Sequence, residues 1–255
     1  MELLANKVGM VVGATSGIGR AAAILFAQEG AKVIVVGRRT PLLETLVAEI
    51  AQFGGEATYI TADVSKSAEI KSMVAQAKAH YGRLDFAFNN AGTIGNFVPM
   101  FEQSEADYDD TMAINLKSIW LSCREQALAM REHGGAIVNT SSWLASGGFE
   151  GSTVYSASKA GMDGFVKPAA LELAKYNIRI NNINPGGVDT EMTREAFQHD
   201  ETVLAAFAAA HPLSKLATPL DVANLAAFLL SERASNITGQ AIYTDGGYAI
   251  SGQRG

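Results

Sequence analysis

Short, nearly continuous apolar runs recur along the chain at residues 8–12, 32–36, 57–61, 84–88, 136–140, 178–184 and 240–244. A strand that is apolar at almost every position, rather than at every second one, is buried on both faces. That is the condition of a parallel sheet covered by helices on both sides. The gaps between the runs carry helical spacing: Ile18, Ala21, Ala22, Leu25 and Phe26 recur at steps of three and four, and Gly30 ends the pattern. Repeated strand–helix–strand units with right-handed crossovers predict a doubly wound α/β sheet. No linker, internal repeat or low-complexity tract divides the 255 residues, so the reading is a single domain over 1–255.

Composition narrows the function classes. Apolar residues make up 48% of the chain, enough for a core on each side of a sheet. The net charge of −6 and the lack of a basic run argue against a nucleic-acid partner. No apolar run approaches the roughly 18 residues that a membrane helix needs, and residues 1–12 lack the pattern of a signal peptide. The single Cys123 forbids an internal disulfide and suits a reducing cytosol, so a cytoplasmic location is expected, with the thiol packed and inert. His80, His133, His199 and His211 show no metal-ligand spacing, and no metal is expected.

The chemistry concentrates in residues 137–161. An apolar strand ends at Ser141 and Ser142, a glycine-rich loop follows, and Tyr155 and Lys159 open a helix. Four residues apart, these two side chains share one helix face. A lysine ammonium beside a phenol is expected to lower its pKa from about 10 toward neutral. Ser142 is placed to hold a carbonyl or hydroxyl oxygen while the tyrosine passes a proton. These parts suit interconversion of a ketone and an alcohol beside a hydride source.

The first strand is followed by Gly13-Ala14-Thr15-Ser16-Gly17-Ile18-Gly19. Glycines between a strand and a helix let the backbone approach a pyrophosphate, and the helix N-terminus faces that anion. The spacing is G-x-x-x-G-x-G rather than the G-x-G-x-x-G fingerprint. Where a binder of NAD carries an acid after its second strand, this chain has Gly37-Arg38-Arg39. A charge-assisted bond from Arg38 to a 2′-phosphate contributes roughly 1.5–3 kcal/mol, about ten- to a hundredfold in affinity. NADP(H) is therefore favoured, with NAD(H) possible if both arginines are solvated loop charges. Asp63 reads either as a cofactor contact or as the N-cap of the next helix. Asn89 and Asn90 read either as cleft residues or as ties between strand ends.

Gly13, Gly17 and Gly19, the Asn89-Asn90-Ala91-Gly92 run, Asn115, Ser142, the Tyr155–Lys159 block, Pro185-Gly186 and Asp245-Gly246-Gly247 together resemble the short-chain dehydrogenase/reductase family. The resemblance is to its short single-domain Tyr-x-x-x-Lys branch and covers essentially the whole chain. It implies a seven-stranded parallel sheet between helices, and a homotetramer or homodimer. It implies Tyr155 as general acid/base, and Lys159 as the group that lowers its pKa and holds the nicotinamide ribose. Ser142 would bind the substrate oxygen, and Asn115 would support a water relay. Ser16, Ile18, Arg38, Asp63, Val64 and Asn90 would contact the cofactor, with Gly13, Thr15, Gly17, Gly19, Arg39, Ala91, Gly92, Pro185 and Gly186 shaping its cradle. Val188 and Thr190 would meet the carboxamide. The chain departs from the family at Val12, where a threonine is frequent, at Ser16, which is not basic, and at Pro168.

The substrate end is thinner. Thr93, Ile94, Trp143, Leu144, Phe149, Glu150, Gly187 and the helical segment 192–207 are candidates for its lining. Trp143 reads either as a wall for an apolar or ring-shaped substrate or as packing against a candidate lid at about 189–212. Pro168 should interrupt and bend the helix that begins near Tyr155. The acidic stretch 191–201 disfavours a carrier-protein-linked or phosphorylated substrate. The expected activity is an NADP(H)-dependent reductase of small-molecule ketones or dehydrogenase of secondary alcohols. The alternatives are an NAD-dependent dehydrogenase of a cyclic alcohol, diol or sugar, a 3-ketoacyl-carrier-protein reductase, and a non-catalytic nucleotide-binding regulator.

Overall fold

The computed structural model describes residues 2–251. In chain order the elements are β1 (Val8–Val12), α1 (Gly17–Gln28), β2 (Lys32–Gly37), α2 (Thr40–Gln52), β3 (Glu56–Thr61), α3 (Ser67–Tyr81) and β4 (Phe86–Asn89). They continue with α4 (Glu105–Met112), α5 (Ser118–Met130), β5 (Gly135–Thr140), α6 (Thr153–Leu173), β6 (Ile178–Pro185), α7 (Glu191–Ala196), α8 (Glu201–Ala209), α9 (Pro219–Leu230) and β7 (Ala241–Thr244). The strands form one seven-stranded sheet in the order β3-β2-β1-β4-β5-β6-β7, and every pairing is parallel. The order reverses between β1 and β4, and a doubly wound sheet opens its ligand cleft at such a point, outside the carboxyl ends of the strands.

The apolar runs form two cores, one on each face of the sheet. One packs Phe26, Val33, Val35, Leu46, Phe86 and Leu229 beneath α1, α2 and α9. The other packs Met10, Ile34, Met73, Ile119, Met130 and Met162 beneath α3, α5 and α6. A smaller cluster of Trp143, Leu144 and Tyr248, with Phe97, Tyr155 and Phe207 against it, sits at the carboxyl edge of the sheet.

Three differences from the sequence reading have physical causes. The fourth strand is shifted to Phe86–Asn89, because the Asp85 carboxylate accepts the Val8 amide at 2.8 Å and caps the entry to the ladder. The last strand starts one residue late, at Ala241, where the Gln240 amide is taken by the Asn181 side chain at 3.1 Å. Pro168 does not interrupt α6, which runs through it to Leu173. The residue four positions back is the exposed Gly164, so the carbonyl that loses its donor lies toward solvent.

Gly9 sits directly under the ring of Phe86, which is fully buried and meets Phe26 edge-on at 5.5 Å. A Cβ at Gly9 would lie 1.9 Å from Phe86 Cζ. Gly9→Ala is expected to lower unfolding stability by about 2 kcal/mol or more through overpacking. Gly164→Ala, where a Cβ meets nothing within 4 Å, is expected to raise it by about 0.5–1 kcal/mol through helix propensity. Urea midpoints of the two variants check both signs.

Candidate active site

A cleft of about 570 Å³ opens along the carboxyl ends of β1 to β6. Its floor is the turn after β1. The Gly13 and Ala14 amides are spent on Val36 O, and Gly13 has φ +86°. A Cβ on Gly13 would stand 2.6 Å from Ala91 N, and one on Gly19 2.1 Å from Gly13 O. Gly19 thus stands behind the cleft wall, where it lets α1 press against the turn. No side chain caps α1 at Ser16, which leaves its first-turn amides directed at the cleft.

Thr15, Ser16, Gly17, Ile18, Arg38, Arg39, Asp63, Val64, Asn90, Ala91 and Gly92 line the same cleft. Arg39 folds over the turn and donates to Thr15 Oγ1 at 2.6 Å and Ser16 Oγ at 3.0 Å. Arg38 stays exposed at the mouth. The Asp63 carboxyl is held below its ordinary range by the Ser65 amide and hydroxyl, and further by the nearby Arg38 charge. Asp63 is not the helix cap: α3 begins at Ser67, with Lys66 at its N-cap position. Asn89 is a buried tie, donating to Gln126 Oε1 and Asn139 Oδ1, both at 2.9 Å. Asn90 faces the cleft and also braces it, accepting from Thr140 Oγ1 at 2.9 Å.

At the far end, Ser142, Tyr155, Lys159, Pro185, Gly186, Val188 and Thr190 complete the lining. Ser142 caps the short turn Trp143–Ala145, accepting the Leu144 amide at 3.1 Å, and its hydroxyl is close enough to the Tyr155 phenol to favour the phenolate. Lys159 is buried; its Nζ donates to Thr140 O at 2.8 Å and lies 5.6 Å from the centre of the Tyr155 ring. Asn115 lies behind the wall, in a wide turn over Ala113–Lys117 whose bonds span five residues. It grips Thr93 through N and O, both at 2.8 Å, and reaches Ser158 Oγ at 3.3 Å. Such wide turns re-aim one side chain out of helical register.

The electrostatics differ from the sequence expectation. Burial pushes the Tyr155 phenol above its ordinary value, against the opposing Ser142 hydrogen bond. Lys159 does not bring the resting phenol below its ordinary value: burial outweighs it, and the amine, which lies over the ring, also donates to Thr140 O. Burial brings Lys159 itself down to about 8, and the Asp163 charge resists that fall. Asp163 was not singled out from sequence, although it stands four residues after Lys159 on α6 and that spacing was a readable signal. Its carboxylate accepts from Asn182 Nδ2 at 2.8 Å and Asn184 Nδ2 at 2.7 Å. Asn184 also donates to Ser142 O at 3.1 Å.

The substrate end is built differently from the sequence reading. Trp143 is buried, meets Tyr248 edge-on at 4.8 Å, and does not line the cleft. Gly187 is also covered, since a Cβ there would meet Phe207 at 2.5 Å and Leu216 at 2.7 Å. The aromatic surface beside the phenol is Phe97, 5.7 Å from the Tyr155 ring and 6.3 Å from the ring of the exposed Phe149. Phe97 comes from the loop after β4, and no sequence pattern marked it. Helix α7 contributes Glu191, Met192 and Thr193 to the cleft rim.

Against this geometry, comparison with known proteins gives a consistent answer. A family model described as enoyl-(acyl carrier protein) reductase matches residues 13–249. The chain is 36% identical to a 3beta-hydroxysteroid dehydrogenase of Mediterraneibacter gnavus over 261 residues, covering 95% of each. It is 37% identical to a 3-oxoacyl-[acyl-carrier-protein] reductase of Thermotoga maritima, covering 97% of this chain and 99% of that one. The solved structure of levodione reductase superposes with a TM-score of 0.94 at 32% identity, over 97% of this chain and 99% of that one. The chain belongs to the short-chain dehydrogenase/reductase family and is an oxidoreductase acting on CH–OH groups.

Burial of Lys159 has a measurable consequence. Its folded pKa of about 8 lies below the ordinary 10.5, so between these values the unfolded chain binds more protons than the folded one. Folded stability from this group therefore rises with pH across that window, by roughly 3 kcal/mol in all. Lys159→Met removes the effect. Its stability relative to the wild type is expected to fall by about that amount between pH 7.5 and pH 10.5, measured by urea unfolding at the two pH values.

Proposed function

We propose that the protein reduces ring-containing or bulky apolar ketones with NADP(H), and oxidises the matching secondary alcohols. The observation that carries the reading is one cluster: the Ser142 hydroxyl close to the Tyr155 phenol, the Lys159 amine against the ring face, and Phe97 beside it. Ser142, Tyr155 and Lys159 line the end of the cleft that begins at the glycine turn, and Phe97 packs against the Tyr155 ring. That cleft fits a dinucleotide, since it holds about 570 Å³ and the first-turn amides of α1 beside it carry no side-chain cap. The turn and α1 would hold the pyrophosphate, Arg38 the 2′-phosphate, and Lys159 the nicotinamide ribose.

A bound nicotinamide supplies the hydride. The chain's own residues manage the oxygen. Ser142 Oγ donates to the carbonyl oxygen and orients it, and Tyr155 Oη gives its proton as the oxygen becomes an alcohol. The phenolate left behind is unfavourable in a buried site, and the Lys159 ammonium is the charge that stabilises it. Asn115, through Thr93 and Ser158, keeps the loop after β4 fixed against α6. The 189–212 segment serves as the lid: Arg194 joins Asp189 to Glu201 and so braces α7 against α8.

The Thermotoga maritima relative supports a second reading, reduction of a carrier-bound 3-oxoacyl chain. The rim argues against it, because Glu191, Glu195, Asp200 and Glu201 crowd the lid and Arg194 is already paired with Asp189 and Glu201. We also propose that copies associate through the α5–α6 face, where Trp120 and Leu128 are half exposed and Leu171 is 82% exposed. The cytoplasmic placement rests on the lone, buried Cys123 and on the lack, among the described residues, of a helix able to cross a membrane.

The test is turnover of ring ketones, open-chain ketones and 3-oxoacyl thioesters with each reduced cofactor. Tyr155→Phe is expected to cut turnover by about 10²–10⁴ while cofactor affinity stays within a few-fold. Turnover that survives the change would mean another group is the acid. Arg38→Ala is expected to weaken NADPH binding about ten- to a hundredfold and leave NADH binding nearly unchanged. Equal losses for both cofactors would remove the case for NADP(H).

A further inference from the structure

We propose that His211 is a positioning residue: with Nε2 unprotonated it holds the Gly187 amide, and so keeps residues 187–190 against the cofactor cleft. The inference rests on the dinucleotide reading above only for its effect on binding.

His211 follows α8 and is 2% exposed. Its ring stacks on Tyr248 at 4.5 Å and 23°, and meets Phe207 edge-on at 4.9 Å. Nδ1 lies 2.8 Å from Phe207 O, which can only accept, so Nδ1 carries the proton. Nε2 of the neutral ring is then bare, and the Gly187 amide donates to it at 3.1 Å. Both nitrogens are used. A proton on Nε2 would face the Gly187 N–H and leave that buried amide without an acceptor.

Gly187 opens a segment that is also tied to Ala217. Its carbonyl accepts from Ala217 N, the Asp189 amide donates to Ala217 O, and Val188 bridges Ala217. Val188 and Thr190 line the cleft, and the Thr190 methyl lies 3.2 Å from where a Gly17 Cβ would stand. No residue but glycine fits at 187, since a Cβ there would also meet His211 Cε1 at 3.0 Å. The hold thus comes from the histidine rather than from a side chain of the segment itself.

The charged groups around the ring are committed elsewhere. Tyr248 presents its ring face. The buried Asp245 spends its carboxylate on Gly247 N at 3.0 Å and Ala249 N at 2.7 Å. Asp189 is paired with Arg194, and the Lys215 charge acts on Asp221. Among the described residues, no carboxylate is hydrogen-bonded to either ring nitrogen.

Two variants separate the roles. His211→Gln offers an amide oxygen near the Nε2 position; His211→Phe keeps a ring and removes the acceptor. Binding of NADP⁺ and NAD⁺ is measured by calorimetry at pH 8. His211→Phe is expected to bind the favoured cofactor about tenfold more weakly than the wild type, with His211→Gln within a few-fold of it. Equal affinities for all three proteins, or equal losses in both variants, would overturn the proposal. Imidazole and Gly187 amide nitrogen resonances of the ligand-free protein decide the same point if neither cofactor binds, an outcome that would instead sink the dinucleotide reading. A proton on Nε2 at pH 7.5, or a Gly187 amide resonance unchanged in His211→Phe, would overturn the role of His211; the Nδ1–H tautomer with a Gly187 signal displaced in His211→Phe and restored in His211→Gln would uphold it.

Discussion

The Asp163 carboxylate accepts the side-chain amides of Asn182 and Asn184 on β6 and fastens α6 to the sheet. Lys159 and Tyr155 lie one and two turns earlier on that helix. Asn184 in turn holds Ser142 O, so one carboxylate sets helix and serine loop together. The buried amides continue across the sheet, from Asn182 to Asn139, from Asn139 to Asn89, and on to Gln126 of α5. Such a chain is worth having in a core only when its members are satisfied. Asn184 Oδ1 is the one buried side-chain oxygen without a partner among the described residues, and it lies at the junction of the serine loop and α6.

The same fastening explains the electrostatics. Placing an amine and a phenol in a dry pocket raises the free energy of both charged forms. Asp163 is the fixed charge that offsets part of this for Lys159. For Tyr155 burial outweighs what its neighbours offer, and the phenol stays neutral at rest, ready to give its proton to a substrate oxygen. The protein thus carries an unfavourable amine because the phenolate needs it. Destabilised functional groups of this kind are a common source of opposition between stability and activity.

The fold was readable because two-sided burial leaves an apolar run at nearly every strand position, and the seven runs became the seven strands. The strand edges were less readable. Leu84 is apolar and buried yet lies outside β4, because the Asp85 carboxylate takes the first ladder position for itself. In the candidate site, residues tied to one local element could be placed from spacing, as with Ser142, Tyr155 and Lys159. Residues whose role depends on a distant partner could not. Trp143 adjoins Ser142 in sequence but turns inward to Tyr248, more than a hundred residues later. Phe97 reaches Tyr155 from an irregular loop, and His211 reaches Gly187 through the fold alone.

The central claim is that this cleft moves a hydride between a nicotinamide and a carbonyl carbon. The most direct measurement uses NADPH carrying deuterium on the nicotinamide C4 position, a ring ketone such as cyclohexanone, and mass analysis of the alcohol. With both C4 positions labelled, the account predicts one deuterium on the carbinol carbon and a hydroxyl proton from water, with one oxidised cofactor per alcohol. An alcohol whose carbinol hydrogen comes from water, or one that accumulates while the cofactor stays reduced with both deuterium atoms, would contradict it.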